Sequence, residues 1–99
     1  MISLPAHQLE MVRQILRQHV PGQAVWAFGS RVTGERLKPF SDLDLVIITT
    51  RPLTARGVAL LKDSLAESSL PIKVDVLDWC ELGPGLRQHI ESHHEQVLP

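Results

Sequence analysis

The sequence GSRVTGERLKPFSDLDL, residues 29–45, connects two apolar segments that predict buried strands. AVWAF, residues 24–28, is too short and too apolar for a surface helix, and DLDLVIIT, residues 42–49, is rich in β-branched residues. Between them, RVTGER at 31–36 is long enough for one or two helical turns, and KPFS at 38–41 is typical of a turn. This stretch therefore predicts a strand, a short helix, a turn and a second strand.

Further helices and one more strand are predicted on both sides of this stretch. Apolar residues at helical spacing predict amphipathic helices over 5–19 and 53–67, and alternation in IKVDVL predicts a strand over 72–77. A last helix is predicted from residue 83 onward, with Val97 on its apolar face. The order helix, strand, helix, strand, helix, strand, helix predicts an α/β or α+β fold, in which helices cover a sheet.

Length and composition restrict the possible function classes. Ninety-nine residues with 43% hydrophobic side chains predict one globular domain over 1–99. Ten basic and eleven acidic residues give a net charge of −1, which argues against a stand-alone nucleic-acid binder. No apolar run approaches the ~20 residues that cross a bilayer, and the first residues, MISLPAHQ, lack the features of a secretory signal. With a single cysteine, Cys80, no internal disulfide is possible. We therefore expect a soluble cytoplasmic protein.

Asp42 and Asp44 are two residues apart on the second predicted strand, so their carboxylates share one face while Leu43 and Leu45 face the core. Two like charges this close repel each other, and the pKa of one rises unless a cation intervenes. A divalent cation that prefers oxygen ligands, such as Mg²⁺, removes this conflict. Taken alone, the pattern also fits a turn-capping Asp42 and a solvated Asp44.

Asp75 is the one acidic residue in the apolar alternation of the third predicted strand. A carboxylate on a covered sheet is costly unless it is paired or bound to a metal. If the third strand neighbours the second, Asp75 joins Asp42 and Asp44 as a third metal ligand. The alternative is a solvent-facing Asp75 beside Lys73.

Gly29 and Ser30 come directly after the first predicted strand and open the short helix. Glycine permits close approach of the backbone to a phosphate, and serine adds a hydroxyl next to free N–H groups. Arg31 or Arg36 can add positive charge for a polyphosphate. Without the acidic residues, however, Gly-Ser is an ordinary turn.

The combination of these features resembles the signature of the polymerase-β-like nucleotidyltransferase superfamily. In this chain eleven residues separate Ser30 from Asp42, and the third acid lies on a later strand. More narrowly, the chain resembles the minimal nucleotidyltransferases, small single domains that pair with a HEPN-domain toxin in bacterial and archaeal toxin–antitoxin modules. The resemblance implies a small mixed sheet covered by helices, and a complex of antitoxin and toxin. It implies transfer of AMP from ATP to a tyrosine hydroxyl of the toxin.

The resemblance also implies a role for each residue of the pattern. Gly29 and Ser30, with Arg31, would bind the nucleotide, and the first two would hold its β- and γ-phosphates. The carboxylates would be catalytic and would bind two Mg²⁺ ions: Asp42, Asp44 and Asp75. Neither direct binding of nucleic acid nor binding to a membrane is implied.

Two other functions are alternatives to this enzymatic one. The first is a binding antitoxin that inhibits its partner by complex formation alone, and the second is an enzyme that transfers nucleotides to a small molecule. The sequence contains no tyrosine, so a tyrosine acceptor has to belong to another molecule.

His89 and His93 have a spacing that can bind zinc, but no third ligand is evident, so we expect a structural or pairing role for them. Trp26 and Trp79 are expected in the core or at an interface, because four aromatic residues are too few for a surface on which nucleic-acid bases stack. Cys80 has no neighbouring base in the sequence that would make it a nucleophile.

Overall fold

A computed structural model describes all 99 residues and contains one sheet with helices on its faces. In chain order the elements are α1 (Ala6–His19), β1 (Ala24–Phe28), α2 (Ser30–Thr33), β2 (Leu43–Ile48), α3 (Ala55–Glu67), β3 (Val74–Asp78), a short 3₁₀ helix (Trp79–Glu81), α4 (Pro84–Ser92) and β4 (Glu95–Leu98). The predicted alternation of helices and strands is confirmed as far as α4.

The four strands form a mixed sheet in the order β3-β2-β1-β4. β1 is antiparallel to both β2 and β4, and β2 is parallel to β3. Parallel neighbours need a long connection, and α3 supplies it between β2 and β3. This topology places the first three strands, which carry the residues of the predicted site, next to one another.

One face of the sheet packs against α1 and α3 and forms the main core. On β2, Leu43, Leu45 and Ile47 are fully buried on this face, and α1 and α3 contribute Leu16 and Leu61 to it. Each such side chain stabilises the fold by about 1.5–3 kcal/mol through the removal of apolar surface from water. No helix is both long enough and apolar enough to cross a membrane.

The opposite face of the sheet has a thinner and more polar cover. Trp26 and Val46 lie on this face, since they alternate with the core residues of β1 and β2. Trp26 packs edge-on against Trp79 at a centroid distance of 5.6 Å and stacks on His94 at 3.9 Å. The expectation that both tryptophans are packing residues is confirmed, because their rings contact each other and His94.

The C-terminal segment differs from its prediction. The last helix ends at Ser92, because His93 has left the helical region with φ −140° and ψ 61°. Residues 95–98 then form β4 on the free edge of β1, where Val97 and Leu98 enter the main core. The prediction of one helix that includes Val97 is wrong: the unpaired N–H and C=O groups of β1 gain a partner strand instead.

Asp78, at the end of β3, holds three segments together on the core side. Its carboxylate accepts hydrogen bonds from the Thr49 hydroxyl at 2.5 Å and from the N–H groups of Leu53 at 2.7 Å and Cys80 at 3.1 Å. Burial raises the pKa of Asp78, but these three hydrogen bonds outweigh it, and the net effect is a pKa below the ordinary value. Asp78 is therefore a structural carboxylate of the sheet end.

Candidate active site

Two of the three predicted acidic residues are direct neighbours in the sheet. The parallel register of β2 and β3 places Asp44 opposite Asp75. Both side chains point away from the main core, since the core residues on either side of Asp44 are buried on the other face. Asp42 lies just before β2 and is exposed. In the structure β3 neighbours β2, which is the strand order that the sequence analysis requires for Asp75 to join the other two acids.

The surroundings of Asp44, one of the three acidic residues, raise its pKa. Burial is the largest cause that raises its pKa, and the negative charges of Asp75 and then Asp42 raise it further. The ionised form of Asp44 is thus unfavourable in the protein as it stands. A nearby cation would reverse both repulsive contributions.

The donor chemistry of the three carboxylates fits Mg²⁺, a hard cation that prefers oxygen ligands. The ammonium group of Lys73 partly neutralises the carboxylate of Asp75, because its Nζ lies 3.3 Å from Asp75 Oδ1. Both side chains are exposed, so water weakens this ion pair. The three acids do not converge as ready-made metal ligands. Asp42 and Asp75 therefore have to turn toward Asp44 in order to share a cation, and their exposure leaves room for that rotation.

Gly29 joins the carboxylates to the predicted phosphate loop. Phe28, the last residue of β1, pairs with Asp44 across the sheet, so Gly29 follows beside it. The backbone of Gly29 has φ 80° and ψ −159°, a conformation that is almost restricted to glycine. A Cβ atom at Gly29 would lie 2.5 Å from Asp44 Oδ2, which is closer than atoms can approach. Only glycine lets this loop pass the carboxylate.

A polar cleft of about 340 Å³ opens at Gly29 and Ser30. We call it the α4 cleft, because His89 of α4 and His93, the residue after α4, also line it; Thr33, Glu35 and Arg36 complete the lining. The sequence analysis did not place the two histidines at the site. The available signal was their separation by one helical turn on an exposed face, but which loop they face depends on how α4 packs.

A second cleft, of about 530 Å³, lies between α3 and β3. We call it the α3 cleft. Asp75 and Lys73 contribute polar groups to it, and its apolar lining includes Leu65, Leu70 and Ile72. Asp75 therefore borders an apolar cleft in addition to the carboxylate group.

Arg31 does not reach the α4 cleft, although it follows Ser30 directly. Its side chain is buried, and its guanidinium donates hydrogen bonds to three backbone carbonyl oxygens: Ser41 at 2.9 Å, Ser3 at 2.8 Å and Pro39 at 3.1 Å. These bonds occupy the fork that a phosphate would need, so the expectation that Arg31 contacts the nucleotide needs correction. Arg31 instead fixes the loop that leads to Asp42, and Arg36 is the arginine that lines the cleft.

Comparisons with known proteins identify relatives of this chain. Residues 10–98 match the family described as "Polymerase beta, Nucleotidyltransferase". The probable protein adenylyltransferase MntA of Haemophilus influenzae is 44% identical over 91 residues, which cover 92% of this chain and 79% of that protein.

Two solved structures have a similar fold. One is a toxin–antitoxin structure with AMP-PNP; its matching chain has a TM-score of 0.74 at 24% identity, covering 90% of this chain and 71% of that one. The other is the tri-AMPylated Shewanella oneidensis HEPN toxin in complex with MNT antitoxin, with a TM-score of 0.71 at 21% identity over 95% and 71% of the two chains. Together with the mixed sheet, these matches confirm the predicted fold class. The chain belongs to the polymerase beta nucleotidyltransferase family.

Proposed function

We propose that this protein is the antitoxin of a HEPN toxin–antitoxin module, and that it transfers AMP from ATP to a tyrosine hydroxyl of its partner toxin. The support is the 44% identity to a probable protein adenylyltransferase and the likeness in fold to the structure of an AMPylated HEPN toxin with its MNT antitoxin. The chain has no tyrosine, so the acceptor belongs to the partner, with which it forms a hetero-oligomer. Consumption of ATP favours a cytoplasmic location.

The sheet register is the strongest single support for a catalytic site here. It pairs Asp44 with Asp75 on one side and with Phe28 on the other, so that Gly29 adjoins the carboxylate group. A phosphate loop and a set of oxygen ligands are thus adjacent, which is the arrangement that nucleotidyl transfer needs.

In this proposal Asp42, Asp44 and Asp75 hold two Mg²⁺ ions, and Gly29 and Ser30 hold the β- and γ-phosphates of ATP. When bound there, the ions would supply positive charge for the displacement and would make the acceptor hydroxyl more acidic.

The reaction is an in-line displacement at the α-phosphorus. The acceptor hydroxyl oxygen forms a bond to phosphorus, the bond from phosphorus to the α,β-bridging oxygen breaks, and pyrophosphate leaves with the bonding electrons. Asp75, the half-exposed carboxylate at the α3 cleft, takes the hydroxyl proton. The product is a phosphodiester between AMP and the tyrosine, and most of the acceleration comes from positioning and charge neutralisation.

The α3 cleft is a suitable approach path for the acceptor. It has room for an aromatic ring, its apolar lining favours one, and Asp75 is one of its lining residues. A partner protein that inserts a tyrosine side chain here would complete a site that the chain leaves open.

A labelling experiment tests the proposal. The purified protein is incubated with Mg²⁺, ATP labelled at the α-phosphate, and a lysate of the source organism, beside the double variant Asp42→Asn/Asp44→Asn. We expect one labelled protein band with the wild type and none with the variant, and mass spectrometry should locate AMP on a tyrosine. His7→Gln, an exposed residue of α1, serves as the matched control and should label like the wild type.

Three other outcomes would change the conclusion. Labelling that survives in the double variant would overturn the roles given to the carboxylates. A stable complex of partner and protein with no label, for the wild type and the double variant alike, would show an antitoxin that acts by binding alone. Label on a small molecule would show a small-molecule nucleotidyltransferase.

A further inference from the structure

The α4 cleft has nitrogen-bearing side chains that the proposed function does not use. Besides Gly29 and Ser30, its lining includes His89, His93 and Arg36, with Glu35 as the only carboxylate. None of its lining residues is hydrophobic. A cleft of this kind suits a small, highly charged ligand rather than a base or an acyl group.

The two histidines that line the cleft stack on each other. Their rings stack at a centroid distance of 4.8 Å and an interplanar angle of 25°. His93 Nδ1 lies 3.2 Å from the carbonyl oxygen of His89, so this nitrogen carries a proton and donates it, and Nε2 is left for a ligand. Both side chains are exposed at the cleft.

No carboxylate forms a salt bridge with these side chains within the protein. The salt bridges of the structure involve the N-terminal amine, Arg13, Arg17 and Lys73, and none involves His89, His93 or Arg36. Their hydrogen-bonding capacity and charge are therefore available to an anion. A bound metal is a poorer fit, because the rings are nearly parallel and no third ligand converges with them.

We propose that His89, His93 and Arg36, together with Gly29 and Ser30 in the same cleft, bind the β- and γ-phosphates of the incoming nucleoside triphosphate. The inference rests on the proposed function and deepens it, since it assigns the residues that distinguish a triphosphate from a monophosphate. An imidazole N–H and the guanidinium N–H groups of Arg36 are donors that phosphate oxygens can accept from. The same contacts bind the leaving pyrophosphate after transfer.

Binding measurements on the full chain test this assignment. The probes are an ATP analogue with a methylene group between the α- and β-phosphorus, which cannot transfer AMP, and AMP itself, both with Mg²⁺ in a calorimetric titration. For His89→Gln/His93→Gln and for Arg36→Gln, we expect affinity for the analogue to fall about tenfold or more, the result of losing a charged hydrogen bond. Affinity for AMP should stay within about twofold of the wild type.

His7→Gln is again the matched control, because it removes an exposed histidine far along the chain from this cleft. Unchanged binding of the analogue by both cleft variants would overturn the inference, and so would an equal loss for AMP, which would indicate a general structural defect. If the wild type labels its partner and the cleft variants bind the ATP analogue normally, only the assignment of His89, His93 and Arg36 is contradicted. A wild type that binds no triphosphate and labels nothing contradicts the proposed function itself.

Discussion

The two faces of the sheet use the same strand for different purposes. On β2, Leu43, Leu45 and Ile47 point into the close-packed core under α1 and α3, where they are fully buried. Asp44, between the first two, points to the other face and lies opposite Asp75. Alternate residues of one strand thus stabilise the fold and assemble charge that destabilises it. The comparison teaches that stability and chemistry in this small protein are separated by a single residue step.

Leu45→Ala should produce the largest loss of stability. The side chain is fully buried in the main core, so its truncation leaves a cavity and is expected to cost about 2–5 kcal/mol. Urea unfolding followed by circular dichroism measures the change. Labelling per folded molecule should persist, because Leu45 faces away from the carboxylates. A cost below about 1 kcal/mol would contradict a close-packed core at this position.

Gly29→Ala should reduce both the stability of the protein and its rate of AMP transfer. The backbone conformation of Gly29 costs another residue about 1–3 kcal/mol. The new methyl group would also displace the Asp44 carboxylate, for which a misplacement of about 1 Å can reduce transfer on the order of 10²-fold. Thermal unfolding and initial labelling rates measure the two effects separately.

Gly34→Ala is the control for that variant. Gly34 also has a positive φ, 78°, but nothing lies within 4 Å of the position of a Cβ. This variant should lose about 1 kcal/mol of stability for its left-handed backbone and keep its transfer rate. If Gly29→Ala and Gly34→Ala lost transfer equally, the clash of the new methyl group with Asp44 would not be the cause of the loss in Gly29→Ala.

Asp44→Asn should have the smallest effect on stability, and one of opposite sign. Because the pKa of Asp44 is raised in the folded protein, its contribution to stability is fully present below the ordinary pKa of 3.8 and is lost as the pH rises through the folded pKa. At neutral pH the ionised carboxylate therefore destabilises the protein, and the neutral amide of the variant removes this cost. Transfer, in contrast, should be abolished.

Urea unfolding at about pH 4 and about pH 7, without Mg²⁺, tests the sign. The stability of the wild type relative to Asp44→Asn should decrease from about pH 4 to about pH 7. Added Mg²⁺ should stabilise the wild type more than Asp44→Asn, since the variant lacks a ligand. If the wild type became more stable relative to Asp44→Asn as the pH rises, the repulsion among the carboxylates would be contradicted.

Local patterns predicted much of the fold. The predicted bounds of β1 agree with the structure, and those of α1 and α3 agree within two residues at each end, because these segments have strong periodicity and clear breakers. β4 was missed, since a strand of four residues takes its conformation from the edge of β1, and Val97 fits helical spacing equally well. Strand pairing, unlike periodicity, depends on distant residues.

The site was predictable in its chemistry and less so in its geometry. The face shared by Asp42 and Asp44 follows from strand alternation, but the pairing of Asp44 with Asp75 requires the strand order. The positions of His89 and His93 at the cleft depend on the packing of the last helix, which no local pattern contains. For Arg31 the sequence predicted a charge near Ser30 but not that the side chain turns inward to three carbonyls.

The inward turn of Arg31 has an electrostatic consequence. Its partners are neutral carbonyl groups, and no salt bridge involves it, so a full positive charge is held beneath the start of α2. Arginine does not titrate in the physiological range, and a partly desolvated charge is weakly screened. The protein therefore has a constant positive potential behind Ser30, and this potential attracts anions. Because Arg31 does not touch the ligand, no contact with it has to break when the product leaves.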